Sequence, residues 1–182
     1  ISWVVDSAHN PSGMTRAFKE FSHTLNKSTY ICLVIGSSPQ NEIDDYLKPI
    51  VDLCTEFKVV GIIITEPYGG RYSPINAEEL ARDLNVRLNG IKLIVAKQPK
   101  LVIEAINRLL KRHNQIAKEP WQVFCVGSLY LAGNILFELG LSYGGQKKYL
   151  QALITLKEAL KYSLDDSILH YQIGVVYQEM LI

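Results

Sequence analysis

Five short apolar runs, each followed by a stretch with helical spacing, constrain this chain more than any other feature. The runs cover residues 3–6, 30–36, 59–65, 91–96 and 122–127. Their near-continuous apolarity, as in Ile31-Cys32-Leu33-Val34-Ile35, suits strands buried on both faces, which means a parallel sheet covered by helices. The stretches between them carry amphipathic patterns. Residues 13–25 place Met14, Ala17, Phe18, Phe21 and Leu25 on one side, and residues 42–57 do the same with Ile43, Tyr46, Leu47, Ile50, Val51 and Cys54. Asn76 is suited to cap a third helix whose first turn holds Glu78 and Glu79, where acids complement the helix dipole. Residues 99–113 supply a fourth, with Pro99 near a tolerated first-turn position. Strands alternating with helices imply right-handed crossovers, so the expected fold is α/β with a doubly wound, mostly parallel five-stranded sheet.

Bulk properties narrow the function. The 182 residues leave room for one medium α/β domain and a small appendage. With 48% hydrophobic and 20% charged residues, the composition is that of a globular protein. A formal net charge of +1 gives no field that would gather nucleic acid or an anionic membrane surface. The densest basic groups, Lys111-Arg112-His113 and Lys147-Lys148, sit beside apolar residues and read as solvated helix faces, as does His23. Cys32, Cys54 and Cys125 have no metal-ligand or redox spacing. Cys32 and Cys125 lie inside apolar runs and read as buried, reduced thiols of a cytoplasmic protein. No apolar stretch reaches the roughly 18 to 20 residues needed to span a bilayer. Because the first residue is Ile1 rather than Met, the chain reads as truncated at its start, and a missing targeting segment says little.

After Gly127 the pattern changes to helix alone, with expected breaks at Gly144-Gly145 and Asp165-Asp166. An internal echo lies there. Leu139-Gly140-Leu141-Ser142-Tyr143 is repeated as Ile173-Gly174-Val175-Val176-Tyr177, with the glycines and the tyrosines each 34 residues apart. That period and the small-residue-to-aromatic spacing resemble the tetratricopeptide repeat, with Tyr149, Ala152, Leu156 and Ala159 at that family's second-helix packing positions. Leu164 departs from the proline usual there. About one and a half repeats are present, so the expectation is an array that continues beyond the chain.

In doubly wound sheets, ligands sit beyond the carboxyl ends of the strands. The first strand runs into Asp6-Ser7-Ala8-His9-Asn10-Pro11, where Asn10 can cap the following helix and Pro11 suits its first turn. A helix N-terminus attracts anions, and a carboxylate beside an imidazole can orient a phosphate or a metal-linked water. The fifth strand ends in Gly127-Ser128 at another helix start, where the serine can cap and can offer its hydroxyl to a carboxylate. Both are on one sheet edge and so can line one cleft. Arg71, in the loop 66–74 after the third strand, can meet a carboxylate or phosphate bidentately. Each feature also has a purely local explanation as a cap, a turn or a solvated arginine.

The segment Trp3-Val4-Val5-Asp6-Ser7-Ala8-His9-Asn10-Pro11 resembles the Asp-x-Ala-His-Asn-Pro signature that opens the C-terminal domain of Mur-type ligases. Gly127-Ser128-Leu129-Tyr130-Leu131 is similar to an element closing that domain in folylpolyglutamate synthases. The resemblance covers roughly residues 1–141, and a helical extension over 128–182 would share the last ligase helix. The Asp-Asn-Pro-Arg element of peptidoglycan ligases is absent, since that loop reads Thr65-Glu66-Pro67-Tyr68.

The resemblance implies the C-terminal part of an ATP-dependent ligase that adds glutamate to folate or folylpolyglutamate through an acyl phosphate. Asp6 and His9 would position nucleotide phosphate and the intermediate. Ser128, Asn10 and Arg71 would bind substrate, and no residue is assigned to a metal. ATP and Mg²⁺ would be held mainly by an N-terminal ATPase domain, because the sequence contains no GxxxxGK[ST] phosphate loop. The expected partners are therefore glutamate, a folate-type acceptor and that ATPase domain, with a protein partner on the repeats, and neither nucleic acid nor membrane. Two other readings compete: a non-catalytic interaction module built on the repeat helices, and another Mur-type amino-acid ligase.

Overall fold

The computed structural model describes residues 1–113, 120–163 and 166–181. Leu164, Asp165 and Ile182, which the repeat and helix-end expectations touched, lie outside the described residues. The five strands are β1 (Ser2–Val5), β2 (Tyr30–Ile35), β3 (Lys58–Ile64), β4 (Leu93–Val95) and β5 (Trp121–Val126). They form a single parallel sheet in the order β1-β5-β2-β3-β4. The parallel α/β expectation holds. β4 is shorter than its apolar run, and Asp6 falls just outside β1, although its N–H still reaches the Cys125 carbonyl at 2.9 Å.

The connections explain the layering. Helices α1 (Pro11–His23), α2 (Ile43–Glu56) and α3 (Ala77–Arg87) follow strands that step in one direction across the sheet. The link from β4 back to β5, through a 3-10 turn (Pro99–Leu101) and α4 (Val102–Arg112), steps the other way. Right-handed crossovers then require α4 to cover the opposite face. The core divides accordingly. Ile31, Leu33, Ile35, Ile62 and Ile64 pack with α1, α2 and α3, whereas Cys32, Val34 and Ile63 pack with α4 and the next helix. Alternate residues of one strand thus feed two cores. Phe124 closes the first core by stacking on Phe21, with ring centroids 4.1 Å apart. Burial pushes the Cys32 thiol up to about 12, so it is an inert packing group.

Beyond β5 the chain is helical: α5 (Leu129–Gly145), α6 (Tyr149–Ala159) and α7 (Ser167–Glu179). The expected break at Gly144-Gly145 is displaced. Helix α5 runs through both glycines, and the chain turns at Gln146–Lys148, where Lys147 adopts a positive φ of 58°. Helix α5 faces two ways: Leu131 and Ile135 belong to the sheet core, and Leu136 to a third cluster with Ala152, Leu156, Leu169 and Ile173. The small residue at 140 is what lets α6 close on α5, because a Cβ there would lie 2.6 Å from Leu156. His113, expected to be solvated, is half-buried with its ring 5.9 Å from Trp121.

One junction sits at the centre of the sheet's carboxyl edge. Gly127 has φ of 125°, and a Cβ on it would lie 2.7 Å from the Gly36 carbonyl oxygen and nearer still to the Tyr46 hydroxyl. The fully buried Tyr46 Oη donates to the Gly127 carbonyl at 3.1 Å. Gly127→Ala is therefore expected to lower the urea midpoint by the equivalent of about 3 kcal/mol or more, combining backbone strain with overpacking. Tyr46→Phe, which leaves the Gly127 carbonyl unpaired, should cost about 1–3 kcal/mol in the same measurement.

Candidate functional site

The turn after β1 is fixed by its own polar groups. The Asp6 carboxylate accepts the Ala8 N–H at 2.7 Å, and the Asn10 side chain accepts Gly13 N–H at 2.8 Å as the cap of α1. His9 is exposed, with Nδ1 3.0 Å from the Ser7 carbonyl oxygen. Pro11 has no N–H and Met14 N–H already bonds Asn10 O, so Ser12 supplies the free donor of this helix start. A cleft of about 460 Å³ opens here, lined by His9, Asn10, Ser12 and also Arg16. Asp6 is not part of its lining. The carboxylate instead braces the turn that carries His9.

Gln40, to which sequence reasoning gave no role, clamps this turn from the loop after β2. Its Nε2 lies 3.0 Å from the His9 carbonyl, 2.9 Å from Ser37 Oγ and 3.1 Å from the Ser38 carbonyl. No local pattern marks its contact with the His9 turn, because His9 lies 31 positions away, while its other two partners, Ser37 and Ser38, are close neighbours. Tyr46 was visible as an apolar-face residue, but its polar tip on a buried stripe was the overlooked signal.

Ser128 caps α5, its Oγ accepting the Tyr130 N–H at 3.2 Å. It is 2% exposed, so the hydroxyl faces protein. It neighbours the Asp6 turn through the β1–β5 pairing, which aligns Val5 with Cys125. The two helix starts share one sheet edge, as the sequence suggested, and the β1–β5 pairing makes their strands adjacent, but the expected common cleft is not formed: only the first opens into the 460 Å³ cleft.

Arg71 lies in a separate cleft of about 620 Å³, between loop 66–74 and the turn at 97–100. The loop is pinned to α5 in two ways. Tyr68 N–H donates to Asn134 Oδ1 at 2.9 Å, and the Tyr130 ring lies so near Gly70 that a Cβ there would meet it at 3.1 Å. Glu138, one turn beyond Asn134, reaches the same cleft half-buried. Loss of hydration raises its carboxyl above the ordinary range, and Lys100 partly opposes that. Glu138 is the one Asp, Glu, Lys or Arg between residues 129 and 145, a signal the sequence did carry.

The helical extension reaches this edge too. Tyr162, just past α6, packs over Gly133 and shares a cluster with Val5. Its phenol is pushed up by burial, then by Glu158 and Asp6. Tyr68 is likewise raised by burial, then by Glu138 and by Asp166, the cap of α7. The end of α6 therefore lies by the Asp6 turn, and the cap of α7 by loop 66–74. Among the described residues no group of three or more His, Cys, Asp or Glu side chains is placed to hold a metal ion, and no helix is long and apolar enough to cross a membrane.

This architecture defines an open, doubly wound α/β domain with its polar clefts along the carboxyl edge of a parallel sheet. Solved structures with the same fold include two of Mycobacterium tuberculosis folylpolyglutamate synthase. One, complexed with ADP and AMPPCP, has a TM-score of 0.59 at 17% identity over 72% of this chain. The other, complexed with ADP, gives 0.57 at 17% over 71%. E. coli FolC in complex with DHPP and ADP gives 0.51 at 16% over 80%. The chain spans 28–29% of the length of those enzymes. No protein-family model and no curated protein matches the sequence.

The raised Glu138 carboxyl has a definite thermodynamic sign. A carboxyl whose folded value lies above its ordinary 4.5 favours folding at acid pH, and that contribution is lost as pH rises through the raised value. Glu138→Gln removes the penalty. Relative to wild type, its melting temperature is expected to gain as pH rises from about 4 to 7, and equal curves for the two proteins would contradict the assignment.

Proposed function

We propose that this chain is the C-terminal, amino-acid-binding part of an ATP-dependent acid–amino-acid ligase of folylpolyglutamate-synthase type. The observation that carries the reading is the pairing of two capped helix starts, at Asn10 and Ser128, on adjacent parallel strands. They carry the two sequence elements that resemble that family. The shared fold supports it. Residues 1–141 form the ligase domain, and residues 128–182 form a repeat-like extension that shares α5.

In this reading His9 and the brace provided by Asp6 position phosphate and the acyl phosphate, with Arg16 adding positive charge to the same cleft. Asn10 sets the α1 terminus, while Ser128 and Arg71 serve the incoming glutamate. Ser128 acts by ordering the start of α5, given its buried hydroxyl. ATP and Mg²⁺ are held by an ATPase domain carrying the phosphate loop this sequence lacks. Closing that domain on this edge would make amine attack effectively intramolecular. The acceptor is a folate or its polyglutamate tail, and the setting is cytoplasmic.

A protein-interaction role for the extension is favoured by one feature. Ile168 and Tyr171 are exposed along α7 and Leu181 just beyond it, and Gly174, the counterpart of Gly140, meets nothing within 4 Å.

The test joins this chain to a phosphate-loop ATPase domain and measures glutamate-dependent ADP release with a folate acceptor. His9→Ala is expected to reduce turnover by about 10²-fold with the fold intact by circular dichroism. Unchanged turnover in that variant would overturn the reading.

A further inference from the structure

The loop after β2, residues 36–40, meets three neighbouring loops at the sheet's carboxyl edge. At the exit of β5, a Cβ on Gly127 would lie 2.7 Å from the Gly36 carbonyl oxygen. After β3, the Ser37 carbonyl accepts the Ile75 N–H at 2.8 Å, just past loop 66–74. Gln40 reaches the third, the turn after β1. Its side-chain nitrogen has three acceptors within 3.1 Å: the His9 carbonyl, Ser37 Oγ and the Ser38 carbonyl. Two of these are carbonyl oxygens, which only accept, so the amide nitrogen of Gln40 and not its oxygen must face them.

The contacts continue inward. Ser37 is 1% exposed, and its hydroxyl donates to the Ser38 carbonyl at 2.8 Å while accepting from Gln40. Burial pushes the Tyr46 phenol up, and a hydrogen bond with the Ser37 side chain partly opposes that rise. Tyr46 Oη in turn donates to the carbonyl of Gly127, the residue before the cap of α5. A continuous path of polar contacts thus joins the His9 carbonyl to the start of α5.

We propose that Gln40, Ser37 and Tyr46 form a relay that fixes the turn bearing His9 relative to the start of α5, with Gln40 as the positioning residue for the His9 backbone. The β1–β5 ladder closes with the bond from Asp6 N–H to the Cys125 carbonyl, before the turn begins. Asp6 and Asn10 then brace the turn from within. Among the described residues, Gln40 makes the one hydrogen bond that reaches residues 7–10 from another part of the chain. None of the three relay residues belongs to the two sequence elements that resemble the ligase family. The relay rests on the ligase reading only for what His9 does once it is in place.

Two variants separate the donor from the bulk of the side chain. Gln40→Glu keeps its shape but puts an acceptor before three acceptors, and Gln40→Met keeps its length without charge. Amide hydrogen exchange is followed on the 182-residue chain. The Ala8 and Gly13 N–H groups, held by Asp6 and Asn10, report on the turn, and the Tyr130 N–H, held by Ser128, reports on α5. Both variants should speed exchange at Ala8 and Gly13 by about tenfold more than at the buried amides of β3. Tyr46→Phe, acting across Ser37 and Gln40, should move the Ala8 and His9 amide shifts, and Gln40→Met should move those of Ser128 and Tyr130. Exchange unchanged at Ala8 and Gly13, or raised equally in β3, would overturn the role of Gln40. Turn shifts unmoved in Tyr46→Phe would overturn the relay.

A kinetic arm uses the chain joined to its ATPase domain. There Gln40→Met is expected to lower kcat about tenfold with the KM for glutamate unchanged. Full turnover in that variant, where His9→Ala is impaired, also counts against the positioning role. Full turnover in His9→Ala sinks the ligase reading instead, and the relay is then decided by the amides alone.

Discussion

The hydrogen bond from Tyr46 to the Gly127 carbonyl is buried under the point where β2 and β5 end side by side. The exit of β5 and the start of α5 at the sheet's carboxyl edge take their position from that contact. The strand order places β5 between β1 and β2, so the chain must leave β5 through a crowded gap beside Gly36. Only a residue without Cβ passes there at positive φ, and a buried carbonyl in such a place needs a donor. Tyr46 brings that donor from α2 while its ring fills the first core. The start of α5, and with it the mounting of Asn134 and Glu138, follows from this arrangement.

The sequence carried the strands, the first four helices and the two helix starts, because all of these rest on local patterns. Alternation between two cores needed no partner information, and Ile31 through Ile35 declared it. The α5–α6 turn was misplaced by a few residues. Paired glycines are weak helix formers, but α5 is packed on both sides upstream of them, through Leu131 and Ile135 on the sheet and Leu136 and Gly140 on α6, and it runs on through the pair to the turn at Lys147. Tertiary contact outweighed propensity.

The site was legible only in part. Asp6, His9, Asn10 and Ser128 stood out as types at spacings, yet their division of labour depends on where each oxygen points. Asp6 turns back to its own loop, and Ser128 is enclosed. Gln40 reaches His9 across 31 residues and Tyr162 packs on Gly133 across 29, so no short window of sequence shows either of these contacts. Glu138 is the instructive case: a lone carboxylate on an otherwise apolar helix was visible, but its meaning required the loop folded over it.

The β1–β5 pairing has a consequence for how this chain comes to exist. Ser2 pairs with Gln122, 120 positions later, and β1 lies at the sheet's edge. Parallel pairing of such distant segments is slow, since a long loop must close before any ladder bond rewards it. During synthesis the first strand must wait until the fifth has left the ribosome. The turn bearing His9 thus gains its strand partner only from residues 122–125, so its geometry rests on a long-range contact rather than on its own neighbourhood.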